Sequence, residues 1–288
     1  MHFTKTQFVG AAVSLGLMVP AAALAAEING TSASERLRGT NLADQIKGNG
    51  GNDRIHGRDG ADGLSGGAGN DRVFGMRGND VIIGLQGNDF LSGGSGDDQI
   101  TGDTNAAGDL TSFDRIFGGA GNDTLRGGDS YDRIHGGSGN DTAFGENGND
   151  RLAGGSGDDT QDGGAGNDVI FANRGTDTSS GGDGNDVLWA LARADVAAGP
   201  GVDQVGDTLD GGNGDDVFRT RDGEVDRIAC GAGNDRALLD NVDVIADATA
   251  AAPNGSCETV VRKAPRAAAS ASRSEDAQEA PKEAKATD

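Results

Sequence analysis

Four consecutive nine-residue units decide the fold, each with a glycine-rich first half and a short apolar second half. They read GGAGNDRVF (66–74), GMRGNDVII (75–83), GLQGNDFLS (84–92) and GGSGDDQIT (93–101), with no residue between them. The sixth position of each unit is aspartate, and the eighth is valine, isoleucine or leucine. A fixed short period repeated in tandem indicates a stacked repeat architecture.

The same period extends in both directions from these four units. GNGGNDRIH (48–56) and GRDGADGLS (57–65) precede them, and seven extra residues interrupt the pattern between Gly102 and Phe113. It then keeps phase through Trp189 and degrades afterwards. The aspartates at the sixth position are Asp53, Asp62, Asp71, Asp80, Asp89, Asp98, Asp114, Asp123, Asp132, Asp141, Asp150, Asp159, Asp168, Asp177, Asp186 and, in a late clean copy, Asp216.

Each nonapeptide divides into a turn and a strand. Glycines allow positive φ, so the first six residues can turn tightly. In the last three residues the middle side chain points inward, because side chains alternate along a strand. Two such units would make one 18-residue coil. Threonine recurs at the seventh position every 18 residues, at Thr124, Thr142, Thr160 and Thr178. We therefore expect an all-β parallel β-roll with a threonine ladder, although duplication of an 18-residue unit would also produce this series.

The two inward rows of the second block differ. One row is Ile116, Ile134, Leu152, Ile170 and Leu188, whereas the other is Leu125, Ala143, Gln161, Ser179 and Ala197. A buried Gln161 costs free energy unless its amide is hydrogen-bonded. We predict that this second side is less stable, or that local backbone shifts fill it.

The sixth-position aspartates are the candidate metal ligands. Stacked turns would place Asp53, Asp71 and Asp89 on one edge, and the alternate copies on the other. Such columns repel unless cations lie between them, and calcium takes six to eight oxygen ligands in flexible geometry. The alternative is that these aspartates only stabilise turns, which explains one or two copies but poorly explains about twenty acidic residues held at one phase. We predict that multiple calcium ions bind to all the aspartates named above.

These motifs resemble the repeats-in-toxin (RTX) family of calcium-binding nonapeptides, with consensus GGxGxDxUx. The resemblance implies a right-handed parallel β-roll, with each ion held between turns two copies apart by backbone carbonyls and the aspartates of both turns. Ser130 and Ala172 replace glycines of the pattern, which puts sites at their turns in doubt. The full GGxGxD signature occurs at 66–71, 93–98, 118–123, 136–141, 154–159, 163–168, 181–186 and 211–216.

Composition restricts the partners. The net charge of −22 argues against nucleic acid, which needs basic patches. A cell-surface or polysaccharide partner stays open, and Phe171 and Trp189 share a phase that would stack them on one outer face.

We do not expect an enzyme, because the positions of His56 and His135 in the repeat are typical of surface residues on strands. The alternative is a β-helix enzyme that acts on polysaccharide.

The N-terminus indicates export. Lys5 precedes an apolar stretch over 8–19, and Ala23-Leu24-Ala25 offers a cleavage site; an uncleaved anchor is the alternative. We therefore expect a secreted, extracellular protein without a transmembrane segment in its mature chain. In that compartment Cys230 and Cys257 fit one disulfide, although two free thiols are also compatible with the sequence.

The organisation expected from these patterns has eight segments. They are a signal peptide (1–25), an N-terminal cap of degenerate repeats (26–47), a first roll block (48–101), an insertion (102–113), a second roll block (114–189), degenerate repeats (190–240), a C-terminal cap with the disulfide (241–263) and a disordered tail (264–288).

Overall fold

The computed structural model describes residues 25–103, 112–190, 206–249, 252 and 255–263. Nearly all of the predicted signal peptide, most of the predicted insertion and the predicted tail lie outside these ranges. Within them every regular element is a β-strand. No helix in the described ranges has the length and apolar character needed to span a bilayer.

In the described ranges, twenty-four strands form two twelve-stranded sheets, and consecutive strands alternate between them. The odd sheet contains β1 (Glu27–Asn29), β3 (Gln45–Gly50), β5 (Gly63–Ala68), β7 (Val81–Gln86), β9 (Gln99–Thr101), β11 (Thr124–Asp129), β13 (Thr142–Asn147), β15 (Thr160–Ala165), β17 (Thr178–Asp183), β19 (Thr208–Asn213), β21 (Arg227–Ala229) and β23 (Val244–Ile245). The even sheet contains β2 (Arg36–Arg38), β4 (Arg54–Asp59), β6 (Arg72–Arg77), β8 (Phe90–Ser95), β10 (Arg115–Ala120), β12 (Arg133–Ser138), β14 (Arg151–Ser156), β16 (Val169–Arg174), β18 (Val187–Trp189), β20 (Val217–Thr220), β22 (Arg236–Leu239) and β24 (Thr259–Arg262).

The register confirms the predicted 18-residue coil. Every pairing is parallel, and Ile46 lies beside Leu64, which lies beside Ile82. The threonine ladder forms on the odd sheet and continues beyond the predicted members to Thr208. The fold is therefore the parallel β-roll expected from the sequence.

The insertions do not interrupt either sheet. Strand β8 pairs directly with β10, so that Leu91 lies beside Ile116 across the first insertion. Strand β17 pairs with β19 in the same way, with Ser179 beside Leu209. The ladder therefore resumes after each insertion with the same face inward.

The strands are longer than predicted. Most have six residues rather than three, as in β4 (Arg54–Asp59), so the turn shrinks to three residues such as Gly60–Asp62. The reason is that pairing continues past the apolar residue: Arg58 at the second position of its unit still lies in register with Met76. The positive φ at this position, 95° for Arg58, bends the strand without ending the ladder.

The core is a narrow double row of eighth-position side chains. Gln161 is buried in it, as its phase requires, and its amide is satisfied. Its Nε2 donates to the carbonyl of Phe171 at 3.0 Å, and the Ser179 hydroxyl donates to its Oε1 at 2.9 Å. The fully buried large residues are Phe218, Ile46, Ile55, Ile82, Leu91, Ile100, Ile116, Leu125, Leu152, Ile170, Leu188 and Leu209.

A disulfide joins the last recognisable repeat to the end of the roll. Cys230 and Cys257 are both buried and bonded, with a Cα–Cα distance of 5.2 Å. The predicted disulfide is confirmed. It links the region after β21 to the segment before β24, the final strand of the even sheet.

The glycines at the fourth position are the ones that the coil requires. Gly51 has φ of 90°, and a Cβ there would lie 2.5 Å from the backbone of Ala33 and Ser34 in the preceding coil. Adjacent Gly50 differs, because a Cβ there would meet nothing closer than 3.7 Å. The fourth-position glycine therefore serves both the left-handed turn and the close stacking of coils.

This pair gives a matched test of the coil. Gly51→Ala should lower the stability of the calcium-loaded protein by about 1–2 kcal/mol or more, because a side chain is strained at this φ and collides with backbone. Gly50→Ala should be close to neutral. Urea midpoints of the two variants and the parent check this expectation. Equal midpoints for the two variants would contradict the described coil geometry.

Candidate metal centre

The sixth-position acidic residues form two continuous columns, one at each edge of the roll. We name each column after the strands that its members precede. The even column is Glu35, Asp53, Asp71, Asp89, Asp114, Asp132, Asp150, Asp168, Asp186, Asp216, Asp235 and Glu258. The odd column is Asp44, Asp62, Asp80, Asp98, Asp123, Asp141, Asp159, Asp177, Asp207, Asp226 and Asp243.

One carboxylate oxygen of each aspartate is used by the coil before it. The Asp53 N–H donates to Asp71 Oδ1 at 2.7 Å, and the Asp62 N–H donates to Asp80 Oδ1 at 2.8 Å. The same bond spans the first insertion, from the Asp89 N–H to Asp114 Oδ1. The columns therefore run past the irregular segments, and all the sequence-predicted aspartates belong to one column or the other.

The second carboxylate oxygen is different. Although these side chains are almost wholly buried, most of their Oδ2 atoms have no hydrogen-bond partner among the described residues. A buried polar atom without a partner is rare and costly. The residues with such an oxygen are Asp53, Asp62, Asp71, Asp80, Asp89, Asp98, Asp123, Asp132, Asp141, Asp150, Asp159, Asp168, Asp177, Asp186, Asp216, Asp226 and Asp235.

The Oδ2 atoms face cradles kept open by first-position glycines. A Cβ on Gly66 would collide with Asp71 Oδ2 and would lie 2.9 Å from the Gly84 carbonyl oxygen of the next coil. Carboxylate and carbonyl oxygens of two coils thus border the same small space. This donor set fits calcium, which takes several such oxygens in flexible geometry. Ala172, which is buried, replaces the glycine of the Asp177 turn, so its methyl group stands where turns with a first-position glycine have no side chain.

Burial and neighbouring charge both oppose ionisation of the columns. Burial raises the pKa of Asp132 to about 9; the hydrogen bond from the Asp114 N–H lowers it, and the carboxylates of Asp114 and Asp150 raise it. Burial likewise raises the pKa of Asp89 to about 8 and that of Asp98 to about 7.

These shifts determine how the metal-free roll depends on pH. The folded aspartates bind protons that an unfolded chain releases, between the ordinary aspartate pKa of 3.8 and the raised values of about 6 to 9. The stability of a metal-free roll is therefore present at acidic pH and is lost as the pH rises through the folded pKa values. At neutral pH, a cation beside each Oδ2 would offset the free-energy cost of ionising these buried carboxylates.

Where a column ends, protein donors satisfy the carboxylate instead. In the first odd turn, the Thr40 N–H donates to Asp44 Oδ2 at 2.5 Å. At the far end, the Thr220 hydroxyl and the Asp240 N–H both donate to Asp243 Oδ2, each at 2.7 Å. The second oxygen lacks a partner only where another turn stacks beyond it, which is the place where an ion could lie between turns.

A second, exposed ladder was not anticipated from the sequence. The Asn70 N–H donates to Asn52 Oδ1 at 2.9 Å, and the Asn88 N–H donates to Asn70 Oδ1 at 3.0 Å. These fifth-position amides accept from the following coil, whereas the buried aspartates accept from the preceding one. The recurrence of asparagine or aspartate at the fifth position was the available signal.

The two histidines considered for catalysis are far apart. His56 lies on β4 and His135 on β12, with three strands of the same sheet between them. At the usual strand separation this is about 19 Å, too far for one acid–base pair. His56 Nε2 accepts from Arg54 Nε at 2.9 Å, and burial and neighbouring arginines lower the pKa of His56 to about 4.

The nonapeptide repeats match a known family model. The family model of the RTX calcium-binding nonapeptide repeat matches more than half of the chain, at residues 29–64, 38–73, 65–100, 111–143, 131–161, 162–188 and 206–237. No curated protein matches the chain. One similar solved structure is a hyperactive, Ca2+-dependent, beta-helical antifreeze protein from an Antarctic bacterium, with 19% identity, a TM-score of 0.39, and coverage of 88% of this chain and 98% of that chain.

The repeated family match, the two parallel sheets and the buried aspartate columns all describe one kind of molecule. The chain belongs to the RTX calcium-binding nonapeptide repeat family.

Proposed function

We propose that this protein is a secreted structural rod whose fold depends on calcium ions held between stacked turns. The observation that carries the proposal is the row of buried Oδ2 atoms without hydrogen-bond partners along both edges. The proposed ligands are the sixth-position aspartates and the first-position carbonyl oxygens of the adjoining coil. Several carboxylates of each column would then remain ionised inside the roll.

Calcium at extracellular levels would supply enough free energy for this role. An ion that binds only the folded state stabilises it by RT ln(1 + [L]/Kd). Extracellular calcium modules have Kd values of about 10⁻⁴ to 10⁻³ M. At calcium roughly tenfold above Kd, each site contributes about 1.4 kcal/mol. Several sites together would contribute as much as the whole free energy of unfolding of an ordinary domain, which is about 5–15 kcal/mol.

An extracellular location fits the remaining features. The N-terminal segment has the form of a secretory signal, and the Cys230–Cys257 disulfide is of the kind that persists in oxidising compartments. The metal-dependent folding would then follow export, because cytoplasmic calcium is low. The chain would stay loose inside the cell and become a rigid roll outside it.

The outer face of the even sheet favours an adhesive role. Arginines at the seventh position stack in register there, although like charges opposite each other destabilise a sheet. The stacked arginines are Arg36, Arg54 and Arg72 in one group and Arg115, Arg133 and Arg151 in another.

Aromatic rings lie beside these arginines. The Arg54 guanidinium is 5.3 Å from the Phe74 ring centre, and that of Arg151 is 4.6 Å from Phe171. Phe171 stacks on Trp189 at 5.8 Å, as their shared phase indicates. Arginine rows next to aromatic rings suit an anionic polysaccharide, whose charges would offset the repulsion within each row. We propose such a polymer as the adhesive partner.

Two neighbouring aspartates test the ligand assignment. Asp98→Asn should lower calcium affinity at its site roughly tenfold, because affinity follows ligand charge. In the metal-free protein the same change should be neutral or stabilising, since burial raises the pKa of Asp98. Asp97→Asn is the control, because this exposed fifth position is asparagine in most copies. Calcium titration calorimetry of both variants measures the effect, and equal affinities for the two would remove Asp98 from the ligand set.

The calcium-driven folding is tested on the mature chain, residues 26–288, prepared in EGTA. Titration with calcium should produce a cooperative rise in β-structure by far-UV circular dichroism, and magnesium at the same concentration should not. The smaller ion requires stricter octahedral geometry and retains its water. A full β-spectrum in EGTA would contradict the proposal.

The adhesive face is tested on a heparin column in calcium. Arg54→Gln/Arg72→Gln should bind about tenfold more weakly than the parent, because two exposed ion pairs are worth roughly 1.4 kcal/mol together. Arg58→Gln/Arg77→Gln removes the same charge from the same strands at the loop edge and should elute with the parent. Identical elution of both double variants would exclude this face as the contact.

A further inference from the structure

The loop between β20 and β21 departs from the nonapeptide pattern. It has one residue more than a regular nonapeptide turn and places Asp222, Glu224 and Asp226 at alternate positions. Its first position holds Thr220 rather than glycine, and that side chain is fully buried. The cradle that first-position glycines leave open elsewhere is therefore occupied here. A column site of the usual repeat type does not fit this turn.

The three loop carboxylates nevertheless converge. One oxygen each from Asp222, Glu224 and Asp226 lies within 4.8 Å of the other two. In the part of the chain that the structure describes, they form the one group of at least three potential ligands this close together. Gly223, with φ of 110°, makes the turn, and the Glu224 N–H donates to Asp222 Oδ1 at 3.1 Å.

Buried carboxylate oxygens without partners occur on residues of the same region. Asp226 is fully buried and its Oδ2 accepts no hydrogen bond, and Asp222 Oδ2 is likewise inaccessible and unpartnered. Asp240 in the next coil is also fully buried, and its Oδ2 lacks a partner as well. Asp240 is close enough for its charge to raise the pKa of Asp222. These oxygens are in addition to the column, since neither Asp222 nor Asp240 occupies a sixth position.

The surroundings hold this cluster in place. Asp243, the nearby end of the odd column, is already satisfied by Thr220 and Asp240. The Arg262 guanidinium on β24 donates to the carbonyls of Asp240 and Asp243, each at 3.0 Å. It bonds to carbonyl oxygens rather than to the unpartnered carboxylate oxygens, which it leaves without a hydrogen bond.

We propose that Asp222, Glu224 and Asp226 form a loop-type calcium site, distinct from the sites between stacked turns, with Asp240 as a further carboxylate behind it. Three carboxylates at alternate positions of one tight loop suit a hard divalent ion that takes oxygen ligands in flexible geometry. The loop lies immediately before β21 and Cys230, so an ion there would fix the C-terminal end of the roll to the disulfide-linked cap.

The test counts calcium ions bound to the full mature chain by equilibrium dialysis with ⁴⁵Ca. Asp222→Asn/Glu224→Gln preserves side-chain size and leaves both columns intact, and it should bind one ion fewer than the parent. Asp210→Asn/Asp215→Asn removes the same charge from exposed positions on the neighbouring coil and should bind as many ions as the parent. An unchanged count and affinity in the loop variant would overturn the proposal.

Two further readouts keep the result interpretable. Far-UV circular dichroism in calcium should be the same for parent and loop variant, and protease cleavage after Arg221 or Arg227 in calcium should become faster only in the loop variant. If the double variant does not fold, Glu224→Gln alone, at a half-exposed position, should still lower affinity at one site. If the columns bound no calcium at all, the parent would bind one ion and the loop variant none, so the two proposals fail separately.

Discussion

Carboxylates stacked inside the roll at the spacing of its strands are the constraint on which the rest of the structure depends. Adjacent strands lie about 4.8 Å apart, and two unit charges at that distance repel by roughly 3.5 kcal/mol at an effective dielectric of 20. Each column repeats this contact at every coil, in side chains that are almost wholly buried. Along most of each column the backbone satisfies only one oxygen of a carboxylate, so a counter-charge is needed for the ionised column to persist.

The different roles of the positions within the nonapeptide follow from this constraint. The eighth residue provides a core only one side chain deep on each sheet, which is thin for a chain of 288 residues with few aromatic residues. The first-position glycine keeps the cradle beside Oδ2 open, and the fourth-position glycine lets the next coil stack closely. At the two ends of the odd column, hydrogen bonds from Thr40 and Thr220 satisfy the second oxygen of the terminal carboxylates. The roll thus has protein caps at its ends and cation-sized cradles along its length.

Much of this architecture was predictable, because a strict period in the sequence determines which residues of successive coils lie beside each other. The 18-residue spacing of Thr124, Thr142 and Thr160 predicts the odd-sheet ladder, and the phase of Gln161 predicts its burial. The sequence did not reveal that each strand continues into the first three positions of the next unit. Positive φ, which Arg58 and Met76 adopt at the second position, is normally a reason to end a strand. The loop cluster at Asp222 was also missed, since it lies where the repeat is irregular and depends on Asp240 in the next coil.

Anomalous X-ray diffraction near the calcium edge, from crystals grown in calcium, would locate ions in the columns. We expect two rows of anomalous peaks inside the roll, one along each edge. Each peak should lie about 2.3–2.6 Å from aspartate Oδ2 atoms, with a spacing close to the strand separation. The absence of peaks beside the columns in an otherwise intact roll would show that the carboxylates are buried without metal, and it would contradict the account.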